Sequence, residues 1–256
     1  MNDLSPLGRE IHRRYDEWGP VVVMEDDNKR YLSFGTLDEQ SCIAKKAPLQ
    51  LQHEYTRSMA SVLLMFPLSA LPTRITLLGV GGGSLASVFH HLLPSAQLQA
   101  VELRRAVLLV AQQYFGLPRS PQLMLHQADA LTYLQHATVN SCDLLICDLY
   151  LADGLYDAQL HAEFIQLCAQ HITSDGWLVL NLWKEHRQHP SLMTLLATHF
   201  RTRLHATTRD GNWILWLNKS TSECHHQDIR QRAKHWQIPL QFNPWASAKG
   251  FLKHKS

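Results

Sequence analysis

The fold is decided by the stretch Ile75-Thr76-Leu77-Leu78-Gly79-Val80-Gly81-Gly82-Gly83-Ser84. A short apolar run of this kind predicts a buried strand of a parallel sheet. The glycines that follow let the backbone turn tightly and approach a ligand closely, which a Cβ would prevent. The stretch therefore predicts a strand that passes into a helix through a glycine-rich turn.

Strands and helices alternate along the chain after this turn. Further strands are predicted at 97–103, 122–126, 143–149 and 177–183, and helices at 84–93, 104–114, 130–136, 158–171 and 191–200. This repetition predicts an α/β fold with a doubly wound parallel sheet. Two last strands, 203–208 and 213–217, are joined through Asp210-Gly211. Asp-Gly is a hairpin signal, so we expect the last strand to be antiparallel.

The first seventy residues have a different pattern. A short helix is predicted at 9–18, two strands at 20–25 and 30–34 around a polar turn, and a further helix at 55–65. We therefore expect three parts. They are an N-terminal β-hairpin and helix domain at 1–70, an α/β domain with the doubly wound sheet at 71–218 and a basic C-terminal extension at 219–256.

Composition indicates a soluble globular chain. The sequence has 256 residues, of which 45% are hydrophobic and 18% charged. That argues against disorder, a collagen-like chain and a coiled coil. No run approaches the roughly 18 apolar residues of a membrane helix. The polar start lacks a signal-peptide pattern, and the five cysteines form no Cys-x-x-Cys pair. We therefore expect a reduced, cytoplasmic protein without a membrane contact.

Acidic residues lie at the ends of successive predicted strands. Glu102 ends the strand after the glycine turn, where a carboxylate can accept hydrogen bonds from ribose hydroxyls. Asp129-Ala130 follows the next strand and can reach an adenine amino group. Asp148 ends the strand after that, beside the point where the strand order reverses. One such acid is commonly a helix cap, but the series together with the glycine turn predicts a nucleoside site.

Histidines and the C-terminal extension offer other chemistry. The sixteen histidines include His90-His91 and His225-His226, but neither pair has the i, i+4 spacing of helical zinc ligands, so we expect no metal. Residues 219–256 carry a net charge of +5 against −3 for the rest. Basic residues among aromatics can bind nucleic acid. We instead expect the aromatics to dock on the body while the charges stay in water, because the body predicts no basic surface.

Several stretches resemble the spermidine synthase (polyamine aminopropyltransferase) family, and more closely its short bacterial spermidine-synthase-like branch. They are 79–85, 101–103, 111–118 and 175–183, with the hairpin, Gln40-Ser41 and the helix carrying Tyr55-Thr56-Arg57 and Met59. The resemblance spans roughly residues 20 to 218, where the hairpin and the βα pattern run. It implies a Rossmann-like fold of the class I methyltransferase type. It also implies a homodimer that transfers an aminopropyl group from decarboxylated S-adenosylmethionine to a small amine in polyamine biosynthesis.

The resemblance also implies roles for individual residues. The cofactor-binding set would be Gln40, Gly79, Gly81, Gly82, Gly83, Glu102, Asp129 and Ala130. The catalytic set would be Asp148, Tyr150 and Asp153, and the acceptor-binding set His53 and Tyr55.

Two positions depart from the family pattern. Gly81 stands where the family carries an acid inside the glycine turn, and Leu151 stands at the second acid after the fourth strand, with Asp153 displaced by two. The departures leave two alternatives to aminopropyl transfer. One is a methyltransferase that uses S-adenosylmethionine at the same nucleoside site, and the other is a non-catalytic protein that binds adenosyl metabolites.

Overall fold

The computed structural model describes residues 7–36, 39–151, 154–221 and 225–252. The N-terminal part forms a four-stranded antiparallel sheet in the order β1-β2-β3-β4. Its strands are β1 (Arg9–Asp16), β2 (Gly19–Glu25), β3 (Lys29–Ser33) and β4 (Glu39–Ala44). The predicted hairpin is confirmed as β2 and β3.

The helix predicted at residues 9–18 is wrong, because this segment forms strand β1. The strand pairs with β2 from Arg9 opposite Glu25 to Asp16 opposite Gly19, with a bulge between Glu10 and His12. Pairing with the buried valines of β2 overrides the weak local helix preference of a charged segment. Strand β4 was not predicted, and it carries Gln40 and Ser41.

A helical segment follows the N-terminal sheet. Helix α1 (Glu54–Ala60) continues into a 3₁₀ turn at Ser61–Met65, which confirms the helix predicted at 55–65 with a tighter second half. Residues Met59 to Leu64 are almost completely buried. The segment therefore packs into the main core, and its first turn holds Tyr55 at a fixed position.

The main sheet has seven strands in the order β12-β13-β11-β8-β5-β6-β7. The strands are β5 (Arg74–Leu78), β6 (Gln97–Glu102), β7 (Leu123–Gln127), β8 (Cys142–Cys147), β11 (Ile172–Trp183), β12 (Thr202–Thr207) and β13 (Asn212–Asn218), with a small hairpin of β9 (Tyr150–Leu151) and β10 (Gly154–Leu155) after β8. Strands β5, β6, β7, β8 and β11 are parallel, and β13 is antiparallel to β11, as predicted. The order reverses between β5 and β8, where such sheets bind ligands.

Helices cover both faces of this sheet. They are α2 (Ser84–Leu92), α3 (Arg105–Tyr114), α4 (Ala130–His136), α5 (Ala162–His171) and α6 (Pro190–His199), with 3₁₀ turns at Asp157–Leu160 and Lys184–Gln188. One core joins α1, α2 and one sheet face, and the other joins α4, α5 and α6 to the opposite face. The doubly wound fold predicted from the sequence is thereby confirmed.

The C-terminal extension docks on the body, as predicted. It forms α7 (His226–Trp236) and α8 (Pro244–Leu252). The Phe251 ring stacks on Trp216 of β13 at a centroid distance of 3.8 Å, and Trp236 is buried in the main core. The Arg232 guanidinium donates to the backbone oxygen of Leu64 at 2.9 Å. None of the described helices is long and apolar enough to cross a membrane.

A buried arginine joins the N-terminal sheet to the start of α3. Arg104 is only 4% exposed and donates through two nitrogens to the carboxylate of Asp16, at 3.0 and 2.8 Å. The same guanidinium donates to the backbone oxygen of Gly19 at 2.8 Å and lies 4.5 Å from the Phe34 ring centroid. Since these partners satisfy the buried charge, the N-terminal sheet has a fixed position against the main sheet and its helices.

Candidate active site

The glycine turn lies between β5 and α2, as predicted. Gly79 has a φ of +86°, and a Cβ there would overlap the backbone oxygen of Asp148. The backbone amide of Asp148 in turn donates to the oxygen of Leu78 at 2.9 Å. Glycine is therefore required at this position because the ends of β5 and β8 approach so closely.

Strand β4 lies directly against this turn. The hydroxyl oxygen of Ser41 accepts a hydrogen bond from the backbone amide of Gly82 at 2.8 Å. A Cβ at Gly81, whose φ is +53°, would lie 2.7 Å from the same oxygen. The space that an acidic side chain would need at the turn is thus taken by Ser41. The role of Ser41 was not predicted, because the approach of β4 to the turn joins segments 41 residues apart.

Glu102 ends β6 beside the turn and holds its backbone. One carboxylate oxygen accepts from the amides of Val80 at 3.0 Å and Gly81 at 3.3 Å, and the other accepts from the amide of Arg104 at 3.0 Å. Burial raises the pKa of Glu102, and these bonds oppose the rise. Binding of ribose by Glu102 stays a prediction.

Asp129 caps helix α4. Its Oδ1 accepts from the backbone amide of Thr132 at 2.9 Å, and its Oδ2 accepts from the Tyr156 hydroxyl at 2.7 Å. Ala130, the first residue of the helix, is buried. The pair thus has a structural role at the end of β7, and contact with an adenine base stays a prediction.

Asp148 lies at the end of β8, and polar side chains surround its carboxylate. Asn181 of β11 donates from Nδ2 to Oδ1 at 2.8 Å, and the Tyr55 hydroxyl also donates to the carboxylate. Burial raises the pKa of Asp148 to about 6, and the nearby carboxylate of Glu102 adds to the rise, while the two hydrogen bonds oppose it. A carboxyl group titrating there can hold a cation or exchange a proton near neutral pH.

The hydrogen bonds continue behind Asp148. Asn212 of β13 donates from Nδ2 to Oδ1 of Asn181 at 3.0 Å, and its backbone amide donates to the Thr208 hydroxyl at 3.1 Å. The Tyr150 hydroxyl donates to the backbone oxygen of Asn181 at 3.4 Å. Neither asparagine was predicted, since Asn181 lies within the apolar strand β11, Asn212 begins β13, and only the sheet register brings them together.

His53 immediately precedes α1 and lies beside Tyr55, with ring centroids 5.4 Å apart. Its Nδ1 is 3.6 Å from a carboxylate oxygen of Glu39, whereas its buried Nε2 has no hydrogen-bond partner among the described residues. Burial lowers the pKa of His53, so the neutral ring is favoured. Gln40, between Glu39 and Ser41, occupies a β-bulge opposite Leu32 and Ser33.

The predicted residues converge only in part. His53, Tyr55, Gly79 and Asp148 line one narrow space of about 20 Å³ together with Ser41, Thr56, Leu77, Val80, Ser84, Leu85 and Ala86. That volume holds about one water molecule. Eight predicted residues do not line it, namely Gln40, Gly81, Gly82, Gly83, Glu102, Asp129, Ala130 and Tyr150, and Asp153 lies outside the described residues.

Two other features of the described residues bear on the site. A larger cavity of about 680 Å³ lies beside α7, and none of the predicted site residues lines it. In the part of the chain that the structure describes, no group of three or more His, Cys, Asp or Glu side chains is arranged to hold a metal ion.

Comparison with known proteins identifies relatives over most of the chain, although no protein-family model matches it. A polyamine aminopropyltransferase of Neisseria meningitidis is 28% identical over 217 residues, which cover 83% of this chain and 81% of the relative. One from Chromobacterium violaceum is 26% identical and covers 90% and 88%. An "eEF1A lysine and N-terminal methyltransferase" of Mus musculus is 30% identical over 148 residues, but these cover only 54% of this chain and 21% of the relative.

Solved structures share the fold. A probable spermidine synthase from Corynebacterium glutamicum superposes with a TM-score of 0.73 at 21% identity, covering 89% of this chain and 87% of that one. A spermidine synthase in complex with the transition state analogue AdoDATO gives 0.72 at 17% identity, covering 95% and 85%. Human methyltransferase-like protein 13 in complex with SAH gives 0.66 at 22% identity, covering 74% and 93%. The chain is thus similar in sequence to polyamine aminopropyltransferases over most of its length, and it has the fold that spermidine synthases share with methyltransferases.

Proposed function

We propose that this protein is a transferase that moves an aminopropyl group from decarboxylated S-adenosylmethionine to a small amine. The observation that carries the proposal is the position of Asp148. Its carboxylate lies at the end of β8, faces the glycine turn, and is reached from the N-terminal part by the Tyr55 hydroxyl. Homology to polyamine aminopropyltransferases over most of the chain supports the same reaction.

The charges around the turn favour the decarboxylated donor. That donor ends in a cationic amine, whereas intact S-adenosylmethionine carries an additional carboxylate there. Glu102 and Asp148 are close enough for one charge to raise the pKa of the other, and no Lys or Arg occurs in 76–86 or 143–153. A negative site of this kind attracts the amine and repels a carboxylate.

In the proposed reaction the nitrogen of a neutral amine attacks the carbon next to the sulfonium sulfur. A nitrogen–carbon bond forms, the carbon–sulfur bond breaks, and the electron pair stays on sulfur, so methylthioadenosine leaves as a neutral thioether. The leaving group is good, so the protein mainly aligns the reactants and helps remove a proton. Asp148 would orient the amine, with Asn181 holding its carboxylate and Tyr55 lying at its other side.

Methyl transfer from S-adenosylmethionine is the second candidate. The absence of an acid at Gly81 and the similarity to a methyltransferase over 148 residues favour it. A protein that only binds adenosyl metabolites would have the same nucleoside site without an acceptor site. The homodimer, the cytoplasmic location and the roles of Gln40, Glu102, Asp129, Ala130, Tyr150 and Asp153 stay predictions.

Calorimetric titration with both donors at one salt concentration tests the donor preference. We expect the decarboxylated donor to bind more tightly than S-adenosylmethionine. The ratio of the two dissociation constants should be smaller than it would be with an acid at residue 81. Tighter binding of intact S-adenosylmethionine would overturn the donor assignment and favour methyl transfer. Methylthioadenosine serves as the reference ligand, since it lacks both the amine and the carboxylate.

A further inference from the structure

A chain of side-chain hydrogen bonds runs from the turn between β12 and β13 to the Asp148 carboxylate. The Thr208 hydroxyl donates to Oδ1 of Asn212 at 3.4 Å. Asn212 donates from Nδ2 to Oδ1 of Asn181 at 3.0 Å, and Asn181 donates from Nδ2 to Oδ1 of Asp148 at 2.8 Å. All three bonds therefore point in the same direction, and the chain ends on the one acidic member.

The start of the chain is fixed by the backbone of this turn. The backbone amide of Asn212 donates to the Thr208 hydroxyl oxygen at 3.1 Å, so the hydroxyl hydrogen is left to donate to the Asn212 side chain. The backbone amide of Thr208 donates to the oxygen of Asn212 at 2.9 Å. The amide of Lys184, just after β11, donates to the oxygen of Gly211 at 2.9 Å. The turn therefore holds the Asn212 amide with its oxygen towards Thr208 and its nitrogen towards Asn181.

Burial makes the direction of the chain matter. Asn181 is 1% exposed and Asn212 is 7% exposed, so neither amide can exchange its partners for bulk water. If the Asn181 amide were reversed, its oxygen would face Oδ1 of Asp148, a contact that only a protonated carboxyl can satisfy. The observed orientation therefore favours the ionised form of Asp148.

We infer that Asn212 is a positioning residue, which keeps the nitrogen of the Asn181 amide against Asp148 and thereby holds that carboxylate ionised. The inference rests on the proposed function, in which the ionised Asp148 orients the amine and takes up its proton. Asn212 does not line the space beside Asp148, so it acts on the reaction through Asn181. The turn between β12 and β13 thus sets the lowest pH at which the enzyme is active.

Other titratable groups lie around the Asp148 carboxylate and act on its titration together with the chain. Burial raises the pKa of Asp148 to about 6, and the hydrogen bond from Asn181 lowers it. Variants of Thr208 or Asn212 leave these other groups in place, so a change that depends on Asn181 comes from the chain. The groups are Glu102 of β6, Tyr55 of α1, Tyr150 of β9, Cys147 of β8 and His53, which lines the same space.

Asn212→Asp tests the direction of the chain. The new carboxylate cannot donate, so the Asn181 amide should turn its nitrogen towards residue 212 and its oxygen towards Asp148. We expect the pKa of Asp148, followed by ¹³C NMR, to rise by about 1 or more. The kcat/KM for amine-dependent release of methylthioadenosine should then fall about tenfold at pH 5 and equal that of the parent at pH 9. The titration of the amine substrate is the same for both proteins and cancels in the comparison.

A double variant separates this reorientation from the repulsion between two negative charges. Asn181→Leu breaks the chain, so Asn212→Asp added on that background acts on Asp148 only through space. We expect less than half of the pKa rise that Asn212→Asp causes in the parent. An equal rise in both backgrounds would overturn the inference.

Thr208→Val provides an uncharged test that stands even where Asn212→Asp does not fold. Without the hydroxyl the Asn212 amide can reverse, and the pKa of Asp148 should rise in the same direction by about 0.3 to 1. The matched control Thr207→Val alters the exposed neighbouring threonine and should leave this pKa unchanged. Circular dichroism checks that each variant is folded. An unmoved pKa in Thr208→Val, or an equal rise in Thr207→Val, would contradict the chain.

The NMR titration does not depend on turnover, so the two levels of the account can fail separately. If the parent releases no methylthioadenosine with any amine, the proposed function has failed, and a pKa rise that depends on Asn181 still supports the positioning of Asp148 by Asn212. If the parent is active and the acid limb of its kcat/KM profile stays unmoved in Asn212→Asp while the pKa of Asp148 rises, the role of the chain in the reaction is overturned.

Discussion

The Ser41 hydroxyl accepts the backbone amide hydrogen of Gly82 at 2.8 Å, which connects strand β4 of the N-terminal sheet to the glycine turn of the main sheet. The contact fixes one wall of the candidate site on a separate sheet. It also occupies the place beside Gly81 where the family carries an acid. The N-terminal part thus lines the space beside Asp148 with three residues. Ser41 lies on β4, whereas His53 and Tyr55 lie at the start of α1.

Gly81→Asp should lower the free energy of unfolding by about 1–3 kcal/mol, the range for overpacking and a strained backbone. Its Cβ would lie 2.7 Å from the Ser41 oxygen. Ser41→Ala removes this oxygen, so the double variant should recover part of the loss in a double-mutant cycle followed by urea unfolding. If the stability changes of the two single variants simply add in the double variant, the Ser41 hydroxyl does not restrict the side chain at residue 81.

Asn181→Leu should move the titration of the Asp148 carboxyl to higher pH. The hydrogen bond from Asn181 lowers the pKa of Asp148, so its loss raises that pKa above the present value of about 6. Titration of the Asp148 carboxyl by ¹³C NMR checks the shift. The matched control Asn218→Leu alters a buried asparagine at the other end of its strand. If that variant changed the pKa of Asp148 equally, the shift would not come from the hydrogen bond of Asn181.

Asp148→Asn should stabilise the protein at pH 8 and lose this advantage below about pH 4. The folded pKa of Asp148 is raised to about 6 from an ordinary value of 3.8. The folded state therefore favours the protonated group, and stability falls as pH rises between those values. Removing the charge should gain roughly 2–3 kcal/mol at pH 8. Urea unfolding at pH 8 and below pH 4 measures the difference in unfolding free energy between Asp148→Asn and the parent. An equal difference at both pH values would contradict burial of the charge.

Arg104→Ala should cost about 3 kcal/mol of unfolding free energy, the lower end of the range for breaking a buried ion pair, because it leaves the half-buried Asp16 carboxylate without its arginine. The neighbouring Arg105→Ala changes an exposed arginine and should cost less than about 0.5 kcal/mol. Urea denaturation followed by tryptophan fluorescence compares the two. A cost below 1 kcal/mol for Arg104→Ala would show that this pair does not hold the N-terminal sheet in place.

The sequence predicted the main sheet well because its strands are apolar runs that alternate with amphipathic helices. Gly79, Glu102 and Asp148 could be placed at one edge, since the carboxyl ends of parallel strands meet there. Strand β1 was misassigned because its residues are charged and its partner lies beyond a turn. Ser41, Asn181 and Asn212 escaped notice because register between distant segments brings them to the site, and no local pattern encodes that.

The central claim is tested most directly by the identity of the released sulfur compound. The protein is incubated with a small diamine and an equimolar mixture of decarboxylated and intact S-adenosylmethionine, and the products are separated by chromatography and mass spectrometry. The account predicts methylthioadenosine and an aminopropylated amine, both dependent on the diamine. Release of adenosylhomocysteine with a methylated product, or no amine-dependent product at all, would contradict it.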